Sequence, residues 1–360
     1  MSTNNLFLEY TKHYSISELS DPSKLSAATQ DIAQLADAMH AHGIGETHYF
    51  GLMNLQPSLQ RIFFIHVPKC GGTSIRKLLV DKNRCAPVPV PGSGALEQSI
   101  RYMTQSFPPN SPQASLLHPY MTNDTGMDLH SRFLHVYAGY LLLQNPQKIF
   151  ILGHKKARGF LPFFRADTDI FFTTVRAPEE ILKSMMSYRV YHTLQYPERP
   201  ESLSLLEHLE TDAEKFTEMV RSQPETLAHR ILETDSPSIA AYLSFQEQPD
   251  HASIMKDLKD NKVFIAHMSE QGQMLSALFG RQPDIPHENS SHKRKGHKNA
   301  SPEREGLAAE FADLAQPEWA LPFVDPESSR LYQSLESSGI VDYWKNGGTR
   351  EGYLELLKNL

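Results

Sequence analysis

The chain has 360 residues, 40% of them apolar or aromatic, and a formal charge of −7, which is ordinary for a soluble globular protein of one large domain or two modest ones. The acidic balance gives no sign of a general nucleic-acid binder, which would need a broad basic face. Two cysteines, Cys70 and Cys85, exclude a disulfide framework or a cysteine-rich zinc site, and no apolar run approaches the length of a membrane span.

Residues 1–60 are mostly polar, with an amphipathic stretch from Leu25 to His40, and read as an N-terminal helical extension. The core begins with the apolar run Ile62 to Val67, which predicts a buried strand. It leads into the glycine turn Pro68-Lys69-Cys70-Gly71-Gly72-Thr73-Ser74, and helical spacing resumes from Ile75 to Val80. Residues 86–126 are rich in Pro, Gly, Ser and Asn, which predicts an irregular insertion, either a lid or a surface excursion. A helix is expected over Phe133 to Leu143, a second strand over Lys148 to His154 and a third over Asp169 to Arg176. Pro178 suits the first position of a helix running to about Tyr191. A helical region follows from 192 to 260, then a strand from Lys262 to His267 and a helix from Gln271 to Phe279. A basic loop spans Pro283 to Ala300, and Pro302 starts further helices. Apolar strands alternating with helices predict an α/β fold, a central parallel sheet flanked by helices in three layers. The main domain is read as 61–345, with 346–360 as a C-terminal tail.

Strand, glycine turn and helix start form a general recipe for gripping a phosphate. Backbone N–H groups and the helix dipole face the anion, and Lys69 adds a full charge. A Walker A loop carries its lysine after the second glycine, whereas Lys69 precedes both glycines. That displacement argues against an ordinary ATPase or kinase.

The string Phe64-Ile-His-Val-Pro-Lys-Cys-Gly-Gly-Thr-Ser74 resembles the 5′-phosphosulfate loop of sulfotransferases that use 3′-phosphoadenosine 5′-phosphosulfate (PAPS). It is closest to the carbohydrate branch that includes the heparan sulfate 2-O-sulfotransferases. Cys70 stands where threonine is usual. The resemblance implies a sulfotransferase fold related to nucleotide kinases, with donor contacts from Lys69, Cys70, Gly71, Gly72, Thr73 and Ser74. Lys69 would stabilise the bridging oxygen as the sulfuryl group departs.

Thr174-Val-Arg-Ala-Pro-Glu-Glu-Ile-Leu-Lys-Ser184 resembles the family's 3′-phosphate segment, with Arg176 and Ser184 in the matching places and Ala177 and Ile181 as departures. The stretch His287 to Lys298 resembles its late nucleotide-binding loop, which implies contacts from Ser291, Arg294, Lys295 and Gly296. A Gly-His pair at Gly153-His154 matches the family's general base, so His154 is the expected proton acceptor. His66 is the rival base. Lys155, Lys156 and Arg158 are candidates to greet an anionic acceptor, or are simply exposed. Glu270 is read as a helix N-terminal charge.

The motifs imply an enzyme moving a sulfuryl group from PAPS to a hydroxyl, on a carbohydrate or glycolipid, with no metal required. Family members in animals carry an N-terminal membrane anchor. The N-terminus here lacks one and lacks a secretory signal, so a cytoplasmic, bacterial enzyme is expected. Two competing readings are an ATP-dependent phosphotransferase on a related fold and a noncatalytic nucleotide- or glycan-binding relative.

Overall fold

The computed structural model describes residues 60–76, 78–79, 86–89, 148–152, 156–160, 168–247, 250–280 and 301–359. These fall into two compact units, one drawn from Met1–Ile65 and Leu79–Phe172, the other from His66–Leu78 and Thr173–Leu360. The expected helix at 133–143 and the amphipathic stretch at 25–40 lie outside the described residues.

The first unit is built on a small parallel sheet. Strands β1 (Gln60–Ile65), β2 (Ala86–Pro89) and β3 (Lys148–Leu152) lie in the order β2-β3-β1, with β4 (Ile170–Val175) next to β1. Gln60 pairs with Lys148 and Phe63 with Ile151, while Ala86 pairs with Ile149 and Pro89 with Leu152, all in parallel. The run Ala86–Pro89 therefore opens the expected irregular insertion with a strand. Its two prolines are compatible with that place because β2 ends the strand order, where a missing N–H donor breaks no ladder on the open side.

Aromatic rings fill the interior of this unit. Phe64 stacks on Phe150 and on Phe172 with centroids 6.2 and 5.0 Å apart, and Phe63 meets Phe160 edge-on at 5.6 Å. Arg61 is fully buried, and its guanidinium grips Asp169 with two bonds, Nε to Oδ1 at 3.0 Å and Nη2 to Oδ2 at 2.5 Å. A forked pair of this kind answers both charges that folding takes out of water.

The second unit is mostly helical. The short helix α1 (Gly72–Arg76) follows the glycine turn. Strand β4 leads into α2 (Pro178–Gln195), whose first position is Pro178 and whose first turn carries Glu179 and Glu180. Helices α3 (Pro200–His208), α4 (Ala213–Ser222), α5 (Pro224–Thr234), α6 (Ile239–Leu243) and α7 (His251–Asp260) follow. Side-chain caps set several boundaries: Asp212 accepts from the N–H groups of Glu214 and Lys215, and Asp250 and Ser253 form a capping box. Buried Leu182, Met186, Val190, Phe216, Leu227, Ile231 and Phe311 form one apolar core with neighbours from the same helices.

Strand β5 (Phe264–His267) lies beside β4 and precedes α8 (Gln271–Phe279). Helices α9 (Pro302–Leu314), α10 (Pro326–Ser337) and α11 (Arg350–Lys358) complete the chain. Residues 346–360, set apart as a tail in the sequence, thus contain a helix whose Tyr353 is fully buried. The described chain is mostly helical and contains a small parallel sheet, which is compatible with an α/β fold.

Candidate functional site

The glycine turn leaves the end of β1 and folds tightly. Cys70 N–H donates to the Val67 carbonyl, and the Gly71 carbonyl accepts from Ser74 and Ile75. Lys69 and Gly71 both adopt the left-handed region, at φ 64° and 83°. Glycine carries that conformation without penalty, whereas a lysine there is uncommon. Strain of that sort is tolerated where the surroundings over-determine it, and functional loops are its usual setting.

Both glycines are also closely approached by side chains. A side chain on Gly71 would come within 2.6 Å of Gln271 Oε1 and 3.2 Å of Met268 Cγ. One on Gly72 would overlap the His66 ring, with Nε2 only 2.0 Å away. His66, the rival base, thus packs against the opening of α1. The opening N–H groups of α1 have no acceptor within the helix, as at every helix start.

The turn is tied to the end of β4. The Thr174 hydroxyl donates to the Cys70 carbonyl. Cys70 itself is fully buried, and burial pushes its thiol up to about 12, against the opposing pull of the Arg176 charge and N–H. Arg176, at the exit of β4, is half-buried and pairs with Glu180 at 3.1 Å. An exposed i,i+4 pair is worth only about 0.2–1 kcal/mol, so a phosphate competes readily for the guanidinium. Ser184 lies one turn further along α2 and is half-buried.

Three residues that the sequence did not single out join this neighbourhood. Tyr188, one turn beyond Ser184 on α2, has its ring 3.8 Å from Lys69 Nζ. Gln271, the first residue of α8, is buried beside Gly71, and its Oε1 has no hydrogen-bond partner among the described residues. His267 ends β5 with its Nδ1 2.7 Å from Ser269 Oγ, and burial followed by the nearby Arg176 charge lowers its pKa, favouring the neutral ring. The one available signal was position, since all three sit near the carboxyl end of a strand or on the helix that follows, where ligands of open α/β sheets bind.

Glu270 departs from the expected helix-end charge. It precedes α8 but makes no capping bond, and it is only 4% exposed. Burial, then the charge of Asp342, raises its pKa. Lys156 and Arg158 are exposed. The expected base His154, with Gly153 and Lys155, lies outside the described residues, as do Ser291, Arg294, Lys295 and Gly296.

The arrangement brings Lys69, Cys70, Gly71, Gly72, Thr73 and Ser74 into one turn and links that turn to the strand that delivers Arg176. It gathers a lysine, an arginine, two glycines closely approached by neighbouring side chains, and hydroxyls at a helix start, which together can hold an anion with two charged ends. Among the described residues no group of three or more His, Cys, Asp or Glu is set to hold a metal, and no helix is long and apolar enough to cross a membrane. Comparison with protein-family models, with curated proteins and with solved structures finds no match.

Proposed function

We propose that the protein is a sulfotransferase that moves a sulfuryl group from PAPS to an acceptor hydroxyl. The observation that carries this reading is the coupling of the glycine turn to the Arg176 strand through Thr174 and Cys70. PAPS bears a phosphosulfate at one end of its ribose and a 3′-phosphate at the other. A donor site therefore needs two anion grips at a fixed separation, and the two motifs supply them on a braced frame.

In this reading the turn N–H groups and Lys69 hold the phosphosulfate, while Arg176 and Ser184 hold the 3′-phosphate. Ser291, Arg294, Lys295 and Gly296 complete the nucleotide contacts. The acceptor hydroxyl attacks sulfur in line with the departing phosphate oxygen, so one S–O bond forms as the other breaks. His154 takes the hydroxyl proton, and adenosine 3′,5′-bisphosphate leaves with the bond electrons. Lys69 opposes the charge that grows on its leaving oxygen, where stabilisation acts mostly on the transition state. The acceptor belongs to the glycan or glycolipid class implied by the carbohydrate branch, and the enzyme works in a bacterial cytoplasm.

Calorimetric titration with adenosine 3′,5′-bisphosphate and, separately, with ATP and magnesium tests the reading. Bisphosphate binding that weakens on Arg176→Ala is the expected result. Binding of ATP with magnesium alone would overturn it in favour of a phosphotransferase.

A further inference from the structure

Lys69 is the one side chain of the turn that carries a full charge, and an aromatic ring already holds it. Its ammonium stands 3.8 Å from the centroid of Tyr188, over the ring face, where the aromatic quadrupole is negative. Tyr188 rises from α2, the helix that also bears Ser184. We propose that Tyr188 is a positioning residue for Lys69, which parks the ammonium on its ring until an anion on the turn draws it away.

The backbone that follows Lys69 is held in place. Cys70 is tied to Thr174, and Gly71 is pressed against Gln271. The turn itself therefore has little freedom to swing, and movement of the charge falls to the lysine's own rotatable stem. A tyrosine ring suits a temporary partner. It attracts a cation without neutralising it, whereas a carboxylate in the same place would hold the lysine against any incoming anion. Leaving the ring is thus a small cost set against anion binding, and it lowers the apparent affinity in proportion to how fully the parked state is populated. The identity of the anion as a PAPS-type donor rests on the function proposed above. The parking does not.

The test uses the full-length protein with Tyr188→Leu and Tyr188→Phe. Without any ligand, acylation of Lys69 by an amine-reactive ester, mapped by peptide mass spectrometry, is expected to speed up in Tyr188→Leu. It is expected to stay at the parent rate in Tyr188→Phe, with other lysines unchanged in both. Adenosine 3′,5′-bisphosphate should bind Tyr188→Leu about three- to tenfold more tightly than the parent, and Tyr188→Phe like the parent. Unchanged Lys69 labelling in Tyr188→Leu, or weaker bisphosphate binding, overturns the proposal. A parent that binds no bisphosphate sinks the donor reading alone, because the labelling arm still decides the parking. Should Tyr188→Leu fail to fold, phenylalanines of increasing fluorination at 188 replace it. Labelling that climbs with each fluorine supports the proposal, and a flat series overturns it.

Discussion

The Thr174 hydroxyl donates to the Cys70 carbonyl, and this bond joins the end of β4 to the middle of the glycine turn. Both residues are fully buried, so the carbonyl has no water to fall back on. Thr174→Val keeps the shape and removes the donor. An orphaned buried acceptor costs about 1–3 kcal/mol, and the melting temperature should fall accordingly. If the bond also sets the spacing of the two anion grips, bisphosphate affinity should drop more than inorganic pyrophosphate affinity does, because only the former bridges both. Equal losses for the two ligands would reduce the bond to a stability role.

Gly71 tests the turn from the other side. Gly71→Ala meets two obstacles, a left-handed φ of 83° and the Gln271 carboxamide 2.6 Å from the new methyl group. The backbone part alone is worth about 1–2 kcal/mol. Gln271→Ala should remove the collision and leave the backbone part. The double variant is therefore expected to bind bisphosphate better than Gly71→Ala alone and worse than the parent. A double variant no better than Gly71→Ala would show that Gln271 moves aside at no cost.

Cys70 should be chemically silent in the folded protein. With the thiol pushed up to about 12 by burial, about one molecule in ten thousand carries the thiolate at pH 8. Only the thiolate reacts, and the sulfur is covered in any case. Iodoacetamide at pH 8 should modify the Cys70 peptide no faster than the protein unfolds, with a sharp rise in denaturant. Peptide mapping separates this site from Cys85. The linkage has a definite sign: a raised thiol pKa contributes stability below the unfolded value near 8.5, and that stability is lost as pH rises towards 12.

Glu270 supplies a second pH test. Burial and Asp342 raise its pKa, so the folded state holds its proton more tightly than the unfolded chain does. Its contribution is therefore fully favourable below the unfolded value near 4.3 and is lost as pH rises through the raised folded value. At pH 7 a buried carboxylate beside a second acid is a liability. Glu270→Gln should raise the melting temperature at pH 7, and the gain should vanish below about pH 4. A gain that is the same at both pH values would assign the effect to packing instead of charge.

What the sequence revealed depended on whether a local pattern carried the information. The apolar runs before Pro68 and Arg176, and Pro178 at a helix start, are short-range signals, and β1, β4 and α2 follow them. The turn was legible because glycines at 71 and 72 answer a backbone need that no other residue meets. Tyr188, Gln271 and His267 were not legible, because each matters only through a neighbour more than eighty residues away in the chain, Lys69, Gly71 and Arg176 respectively. The strand at Ala86–Pro89 was hidden for a different reason. Its prolines read as a break, and only an edge position in a sheet makes them harmless. Glu270 looked like a helix-end charge because burial has no local signature.

The C-terminal segment offers the last test, at the open side of β5. Among the described residues strand β5 ends the order of the sheet, and part of its backbone is answered by side chains. The Tyr353 hydroxyl accepts from the Ile265 N–H at 2.9 Å and donates to the Val263 carbonyl at 3.1 Å, while Trp344 Nε1 donates to the Ile265 carbonyl at 2.7 Å. The two rings stack with centroids 4.9 Å apart. Unanswered edge groups invite pairing with other chains, and these side chains blunt the edge. Tyr353→Phe keeps the stack and strips the hydroxyl, leaving the Ile265 N–H without its acceptor. A loss of about 1–3 kcal/mol is expected in chemical denaturation. Burial holds the phenol well above its ordinary range, so the loss should be the same from pH 6 to pH 9. Amide exchange gives the local readout. The Ile265 N–H should exchange faster in Tyr353→Phe, and an unchanged rate there would mean that Tyr353 contributes packing and not edge cover.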